Sequence, residues 1–377
     1  MTTSPPPPPP APSTPATPDE GHRFPCDQCG SDYRYDPDNK SLICDHCGHS
    51  EQVGGGPWQS SGLRELDFDA AIAKQLPEAE IEITRVSTCP NCAAQVEFDP
   101  TTHAKECPFC ATPVVVDTGE NRHIKPKGVL PFGVDERSAH KAMSSWLGRL
   151  WFAPNGLKEY ARKGRKMQGI YMPYWTFDAD TKSSYSGQRG TVYYVTETRV
   201  VDGKTVSHQV AKVRWRAASG RVQRWFDDVL VLASKSLPKS YTEALEPWDL
   251  SALEPYQPQY LAGFRAEAYT VELQEGYGEA RAKMDRVIER DVRFDIGGDR
   301  QRIHDINTAI ADVTFKHVLL PVWLAAYKYR GKTYRFVVNG QSGRVQGERP
   351  YSAWKIAGAV IVGLIIAGGI GYLAAQQ

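Results

Sequence analysis

Two copies of one cysteine frame constrain this chain more than any other feature of its sequence. In each copy, two Cys-x2-Cys pairs are separated by fourteen residues, and together the copies use all eight cysteines of the chain. An aromatic-Asp-Pro sequence stands at the same offset in both copies, at 35–37 and 98–100. The frames therefore form an internal repeat. The first contains Cys26, Cys29, Cys44 and Cys47, and the second contains Cys89, Cys92, Cys107 and Cys110.

This spacing indicates two metal sites with four thiolate ligands each. A Cys-x2-Cys turn directs both sulfurs towards one centre, and a hairpin brings two such turns together. Soft thiolates favour zinc or an iron-sulfur cluster, and the spacing alone does not separate these two. We expect two Zn²⁺ ions. Because a closed shell of four sulfurs leaves no open position for water, both sites are predicted to be structural.

Four disulfides are the alternative use of these cysteines. No secretory signal opens the sequence, so a reducing compartment is expected, in which thiols stay reduced. The histidines in or beside the frames, His46, His49 and His103, are predicted to be spectators because four thiolates already complete each site. Each ribbon is too small to bury a useful core, and metal binding is expected to fold it.

The two ends of the chain differ in character. Residues 1–22 are rich in Pro, Ser and Thr and predict a disordered, extended arm, either a spacer or a docking peptide. By contrast, 356–375 contains no charged residue, and a transmembrane helix is predicted at 354–375. Basic residues precede it, which predicts a single-pass, tail-anchored protein of the cytoplasmic membrane with its N-terminal bulk in the cytoplasm. Small residues such as Ala359 and Gly363 suggest self-association within lipid.

The predicted fold class is α+β. It combines two tandem zinc ribbons, a β-rich middle region of two α+β units, and one C-terminal transmembrane helix. Pro-x-Trp recurs at 173–175 and 321–323, which suggests that the two units are related. The predicted regions are the Pro-rich arm at 1–22, ribbon 1 at 23–52, a linker with a short helix at 53–84, ribbon 2 at 85–118, the α+β units at 125–235 and 236–350, and the transmembrane helix at 354–375.

Local patterns predict several elements. Helices are expected at 66–76 with Asp67 as its cap, at 135–151, near 278–291 and near 301–313. Strand alternation with turn residues predicts hairpins at Asp202-Gly203, Arg330-Gly331 and Asn339-Gly340.

No catalytic motif stands out, and we expect a protein that is not an enzyme. Two Gly-Lys-Thr triplets, at 203–205 and 331–333, lack the earlier glycine of a phosphate-binding loop. His208, His304 and His317 are isolated and are predicted to be structural. Asp227 and Asp228 either pair at a metal or mark an exposed strand end.

Basic residues at 158–168 could bind phosphates or anionic headgroups, or they could form a solvated loop. The net charge of the chain is +1, which gives no overall electrostatic attraction to nucleic acid or to lipid.

The cysteine knuckles, "YMPYWTFDA", "LPVWLAAYKYRGKTYRFVVNGQSGRVQGERPYS" and the terminal apolar segment together resemble the bacterial membrane-anchored TFIIB-type zinc-ribbon proteins. Members are often labelled as primosomal (replication restart) helicase proteins, and similar proteins are associated with SPFH and phage-shock-type membrane-stress proteins. The resemblance implies an adaptor that recruits protein partners at a lipid membrane, and it supplies no catalytic residue. The alternative is a membrane-associated nucleic-acid-binding protein linked to replication, without helicase activity of its own.

Overall fold

A large mixed β-sheet organises the molecule, with small cysteine-bearing sheets packed against one end. The computed structural model describes residues 24–53, 63–89, 94–97, 104–107, 109, 113–115, 120–152, 167–201, 204–329, 332–348 and 352–374. The predicted arm at 1–22, the turn residues 202–203 and 330–331, and residues 158–166 of the basic segment lie outside this part of the chain.

Ribbon 1 is a three-stranded antiparallel sheet in the order β1-β2-β3. Its strands are β1 (Tyr33–Asp36), β2 (Ser41–Cys44) and β3 (Ser50–Gln52). The chain then forms β4 (Leu66–Asp67) and α1 (Phe68–Ile72). Asp67 caps α1 as predicted, because its side chain accepts a hydrogen bond from the N–H of Ala70 at 2.7 Å.

Ribbon 2 is built around β5 (Ile81–Thr88), which pairs antiparallel with β6 (Gln95–Glu97) on one side and β9 (Glu120–Ile124) on the other. A short 3-10 turn at Glu78–Glu80 leads into β5. A separate hairpin is formed by β7 (Ala104–Glu106) and β8 (Pro113–Val115).

Three long strands form the centre of the large sheet. They are β11 (Gln168–Val201), β12 (Lys204–Leu232) and β15 (Arg300–Tyr329). The middle strand, β11, pairs antiparallel with both of the others, and the β11–β12 pairing reaches Val201 and Lys204. The hairpin predicted around 202–203 is therefore confirmed by the strands that flank it.

Short strands complete the sheet at the end nearest the ribbons. They are β10 (Gly128–Val129), β13 (Glu254–Pro255), β14 (Arg265–Ala266), β16 (Lys332–Asn339) and β17 (Val345–Gly347). Of these, β10 runs parallel to β15 and β14 runs parallel to β11, whereas β16 and β17 continue as an antiparallel meander from β15. The turn predicted at Asn339-Gly340 joins β16 to β17, and the Asn339 side chain accepts hydrogen bonds from two backbone N–H groups within it.

Helices α2 (Glu136–Arg149), α3 (Lys239–Glu243) and α4 (Leu273–Ile296) lie against the sheet, and 3-10 turns occur at Leu250–Ala252 and Pro258–Leu261. Helix α2 confirms the helix predicted at 135–151: Asp135 caps it, and Ala139, Met143 and Leu147 face the core. Helix α4 confirms the prediction near 278–291 but is longer. Its buried residues recur every three or four positions, which is the stripe expected of a helix with one covered face.

The helix predicted at 301–313 is wrong, because this segment is part of β15. At two places β15 has one residue more than the β11 segment paired with it, and each extra residue interrupts the alternation of buried and exposed side chains. The β11–β15 register shifts once opposite Ser186 and Gly187 and once opposite Asp178 and Asp180. As a result, partly buried isoleucines such as Ile303 and Ile306 are spaced by three residues rather than by two, which imitates a helical period.

The register shift between Asp178 and Asp180 is a β-bulge, and it divides the three long strands into two regions. We call the region nearest the ribbons the body; it contains β11 residues 168–178 and the parts of β12 and β15 paired with them. We call the remainder the blade; it contains β11 residues 180–201, β12 residues 204–226 and β15 residues 300–311. At the boundary, Asp228 and Asp312 adopt positive φ angles of 51° and 52°.

The prediction of a transmembrane helix at 354–375 is wrong. No helix in the part of the chain that the structure describes is both long enough and apolar enough to cross a membrane. The last helix, α5, spans Ala353–Ala374.

The same finding overturns the membrane part of the predicted fold class and the predicted single-pass, tail-anchored location in the cytoplasmic membrane. Self-association through a transmembrane helix loses its basis as well. The start of α5 contacts the end of the α2 segment, where the Lys355 ammonium donates to the Trp151 carbonyl at 3.2 Å and the Ser352 N–H donates to the Phe152 carbonyl at 2.8 Å.

Candidate metal centre

The four cysteines of ribbon 1 converge on one point. The Sγ atoms of Cys26 and Cys47 lie 3.6 Å apart, those of Cys29 and Cys44 lie 3.5 Å apart, and all four lie within 4.8 Å of one another. A tetrahedron with metal–sulfur bonds of about 2.3 Å has edges of about 3.8 Å. The donor set and its geometry fit a metal ion, and this four-cysteine cluster can hold one.

Two similar backbone turns place these sulfurs. In each turn, the N–H of the first cysteine, Cys26 or Cys44, donates to the carbonyl five residues later, at 2.6 Å and 2.8 Å respectively. Gly30 and Gly48 follow the second cysteine of each turn, with φ angles of 72° and 75°. Open space surrounds the position that a Cβ would take at both glycines, so the left-handed backbone, rather than lack of room, favours glycine there.

The repeated aromatic-Asp-Pro sequence has a structural role in ribbon 1. The Asp36 carboxylate accepts hydrogen bonds from the N–H of Asp38 at 3.2 Å and from the side-chain amide of Asn39 at 2.8 Å, and these bonds hold the turn between β1 and β2. Lys40 completes the turn with a φ of 48°. The turn sets the register that brings the two cysteine pairs together.

Ribbon 1 is anchored to the body through Tyr35. This side chain is fully buried, and its ring lies edge-on to Tyr260 at 5.4 Å between centroids. Its backbone N–H donates to the Ala262 carbonyl at 3.0 Å. The aromatic residue of the repeated motif therefore attaches the metal-binding ribbon to the rest of the molecule.

Local hydrogen bonds tune the thiols of the cluster. Burial raises the pKa of Cys26, but backbone N–H groups outweigh it and lower the pKa to about 6. Backbone hydrogen bonding, chiefly from the N–H of Cys47, lowers the pKa of Cys44. At Cys29 and Cys47 a backbone N–H also favours the thiolate, yet burial and the neighbouring sulfurs raise both pKa values, that of Cys47 to about 12. The turns thus favour the ligand form at two of the four positions.

The second cysteine frame is described in part. Cys89 and Cys107 are buried, and the Cys89 N–H donates to the Ala94 carbonyl at 2.8 Å, again five residues later. Its first turn therefore repeats the backbone geometry of ribbon 1. Cys92, Cys110 and the sequence 98–100 lie outside the described residues, so the second site stays a prediction.

Ribbon 2 packs against the segment 260–268, which ribbon 1 also contacts. Its buried residues share a core cluster with Met172 of the body and with Trp248, and the Ala268 N–H donates to the Gln95 carbonyl at 3.2 Å. Both ribbons therefore contact the short stretch between Tyr260 and Ala268.

The six cysteines that the structure describes are free thiols, with no disulfide among them. This is the state that metal coordination requires, and the disulfide alternative is not found for these residues. His49 stands beside ribbon 1, where its ring centroid lies 6.2 Å from that of Tyr33, and it does not belong to the four-ligand cluster.

An open cleft of about 900 Å³ lies between ribbon 1 and the body. Ribbon 1 forms one wall, the first turn of α2 forms the opposite wall, and apolar side chains including Phe264 and Trp323 form the floor. Both walls are charged. They contain Arg34, Asp36, Asp38, Asp45, Asp135, Glu136, Arg137 and His140.

A second ionisable cluster marks the boundary between body and blade. The Lys316 side chain is only 7% exposed, and its ammonium lies 2.9 Å from Glu65, 2.9 Å from Asp228 and 3.4 Å from Asp178. Burial lowers the pKa of Lys316, but the carboxylates of Asp228 and Glu65, which accept hydrogen bonds from its ammonium, outweigh burial and raise the pKa. The cluster joins residues that are far apart in the sequence, which explains why sequence patterns did not reveal it.

The carboxyl groups around Lys316 differ in pKa. Burial raises the pKa of Asp178 to about 6. Burial also raises the pKa of Glu65, but hydrogen bonds from Asp178, Thr314 and Lys316 lower it to about 2. Asp227 and Asp228, noted in the sequence, lie with Asp178 close enough to share an ion. Lys316 already supplies a cation there, and the group is best described as a lysine-centred ion cluster.

The three isolated histidines take different positions. His208 and His304 are exposed on the blade. His317 is buried, its Nδ1 lies 2.7 Å from the Ile124 carbonyl, and its ring packs against Trp175. Burial lowers the pKa of His317 to about 4. A neutral, buried imidazole in aromatic surroundings agrees with the structural role predicted for it.

Comparisons with known proteins give one relative and no fold match. No protein-family model matches the chain, and no solved structure matches it. The chain is 25% identical over 335 residues to uncharacterized protein YdjG of Bacillus subtilis (strain 168), and the match covers 89% of this chain and 92% of that protein. The resemblance to TFIIB-type zinc-ribbon proteins stays a prediction.

Proposed function

We propose that this protein is a non-enzymatic scaffold that recruits protein partners through its cysteine ribbons. The observation that carries the proposal is the cleft beside ribbon 1, whose one wall belongs to the four-cysteine ribbon and whose other wall belongs to α2. An apolar floor with charged walls suits a folded or extended protein segment, which would bury apolar side chains between polar contacts.

The metal is proposed to be zinc in both ribbons, in a structural role. When bound, a zinc ion would fix the four sulfurs of each ribbon and so hold the shape of the surface around them. In ribbon 1, Cys26, Cys29, Cys44 and Cys47 would hold the ion. In ribbon 2, Cys89 and Cys107 would act with Cys92 and Cys110.

Metal analysis of the purified chain tests the zinc assignment. The expected result is about two zinc ions per chain, since each site uses four ligands. Cys44→Ser and Cys89→Ser are each expected to lower this ratio to about one. A folded, metal-free wild-type protein, or one that contains iron and sulfide, would contradict the assignment.

Quantitative affinity purification tests the recruitment role. Charge reversal on both walls of the cleft, Asp38→Lys with Arg137→Glu, is expected to reduce recovery of the partners that co-purify with wild type, while zinc content and the unfolding midpoint stay unchanged. The control is Arg286→Glu with Arg290→Glu, which reverses two charges on the exposed side of α4, away from the cleft. Equal recovery by both variants would remove ribbon 1 and its cleft as the recruiting surface. Unchanged recovery by Cys89→Ser would count against ribbon 2.

A further inference from the structure

The outer edge of β12 in the blade is long, regular and without a neighbouring strand. Within the described part of the chain, β12 pairs only with β11 and is the last strand on that side of the sheet. Its register with β11 is continuous from Phe226 to Lys204, and residues 204–226 contain no proline. Proteins commonly interrupt such an edge with bulges or proline, and neither interrupts this one.

The charge of this edge has one sign. Residues 204–226 contain six lysines or arginines and no aspartate or glutamate. Two of these cations are committed, because Lys212 pairs with Glu197 at 2.9 Å and Arg224 pairs with Asp291 on α4. Arg214, Arg216 and Arg221 are exposed and make no ion pair within the described residues.

The three uncommitted arginines lie on both faces of the strand. Ala218, Val222 and Phe226 face α4, so Arg214 and Arg216 share that side by strand alternation, and Arg221 projects from the opposite side. The guanidinium of Arg214 lies over the Tyr193 ring, 5.2 Å from its centroid. A ligand bound to one face of the sheet, such as a nucleic-acid strand on a flat platform, would reach only some of these charges.

An added β-strand reaches all of them. An extended segment beside β12 would hydrogen-bond with the outward backbone groups of the edge, and its alternate side chains would lie next to those of β12 on both faces. Opposite charges across neighbouring strands stabilise such pairing, and like charges oppose it. The second rule disfavours pairing between the β12 edges of two copies of this chain.

We propose that the β12 edge of the blade is a docking site for an extended, acidic segment of another protein, which adds to the sheet as a strand. This site is independent of the role proposed for the ribbons, since it lies on the opposite side of the boundary bulges. The cations then have two effects. They keep the edge from joining copies of itself, and they select a partner rich in aspartate and glutamate.

Binding of labelled peptides to the full-length protein tests the proposal. The probe is a synthetic peptide of about twelve residues that alternates Glu-Glu with Thr-Val, long enough to cover roughly 40 Å of edge at 3.3 Å per residue. A second peptide has the same charge but carries proline at every third position, which removes backbone donors. A single-stranded oligothymidine of similar length is the third probe.

The expected result is that the first peptide binds, that binding weakens with salt, and that β12 amides exchange more slowly in the complex. Arg216→Glu with Arg221→Glu is expected to weaken binding by about tenfold or more, and the milder Arg216→Ser with Arg221→Ser by a smaller factor. Arg286→Glu with Arg290→Glu serves again as the control of equal charge. Circular dichroism checks that every variant is folded.

Three results would overturn the proposal. Equal binding of the proline-containing peptide would show a purely electrostatic surface without strand addition. Binding of the oligothymidine but not of the peptide would assign the charges to nucleic acid. If no probe binds, the cations only protect the edge. None of these results affects the metal content or the cleft variants, so failure here is distinguishable from failure of the recruitment role.

Discussion

The body and the blade are made from the same three strands but differ in how many faces they cover. In the body, ribbon 1, α2 and the start of α4 cover one face of the sheet, and ribbon 2 with its neighbouring loops covers the other. In the blade, α4 covers one face near the boundary and the opposite face is exposed. One continuous strand can thus serve as buried core and as surface.

The sequence of β11 follows this change. Every residue from Ile170 to Ala179 is buried, on both sides of the strand. From Thr181 to Gly187 burial alternates strictly, with Ser184 and Ser186 on the exposed face. Two-sided burial requires a continuous apolar run, whereas one-sided burial requires alternation. The body is therefore expected to contribute more to the stability of the fold, and the blade presents more exposed surface.

The largest expected difference is between two tryptophans on neighbouring strands. Trp175 in the body is fully buried and its indole N–H donates to the Val271 carbonyl at 2.9 Å, while Trp225 in the blade is 67% exposed. Trp175→Ala is expected to lower the free energy of unfolding by about 3–5 kcal/mol, because it leaves a cavity. Trp225→Ala is expected to change it by less than about 0.5 kcal/mol. Urea denaturation of both variants measures the contrast, and similar losses would contradict the division into body and blade.

The boundary between the two regions depends on Lys316. Lys316→Met is expected to cost about 3 kcal/mol, because it leaves the carboxylate of Asp178, whose side chain is 3% exposed, without its cation. The control is Lys182→Met in the blade, whose side chain is 69% exposed and lies 3.9 Å from Asp180; a change below about 0.5 kcal/mol is expected. Chemical denaturation at neutral pH measures both, and equal effects would mean that the cluster adds nothing.

A buried acid in the body makes stability depend on pH. Glu267 accepts hydrogen bonds from the hydroxyls of Ser234 and Ser236 at 2.8 and 3.1 Å. Burial raises its pKa, the two hydroxyls oppose this in part, and the result is about 8. An unfolded glutamate has a pKa of about 4.3. The folded state therefore binds the proton more tightly, and this contribution to stability is present below about pH 4.3 and is lost as pH rises through 8.

Glu267→Gln removes this titration. Between pH 6.5 and pH 9, wild type is expected to lose on the order of 2 kcal/mol more stability than the variant does. Asp305→Asn in the exposed part of the blade is the control. Parallel pH profiles of wild type and Glu267→Gln would show that the carboxylate is already ionised at low pH in the folded protein.

The smallest effects are expected at two glycines of α4. A Cβ on Gly276 would stand 2.7 Å from the Trp175 ring, whereas a Cβ on Gly278 would meet no atom within 4 Å. Gly276→Ala is expected to destabilise the protein by about 1–2 kcal/mol through overpacking. Gly278→Ala is expected to stabilise it by about 0.5–1 kcal/mol through helix propensity. Thermal unfolding gives the sign of each change, and two changes of the same sign would show that α4 does not approach Trp175 closely.

The sequence predicted best what depends on short spacing. The Cys-x2-Cys turns, the cap at Asp67 and the turn at Asn339 are each set by residues a few positions apart, and each has the predicted form. The strands on either side of 202–203 followed from the same kind of evidence.

The errors arose where geometry is set by distant residues. In β15, Asp312 and the extra residue near His304 break the strand period, and these bulges follow from pairing with β11 rather than from any local signal. Lys316 meets Glu65 across more than two hundred residues of chain. The apolar terminal segment predicted a membrane span, which no helix in the described residues provides.

The continuity of the three strands has a mechanical consequence. From Asp180 to Val201 the blade extends for roughly 70 Å at 3.3 Å per residue, without a hinge in the β11–β12 register. A molecule held at the tip and another held beside ribbon 1 would be kept apart by a stiff spacer of set length. The blade would then fix the minimum separation between the two bound molecules.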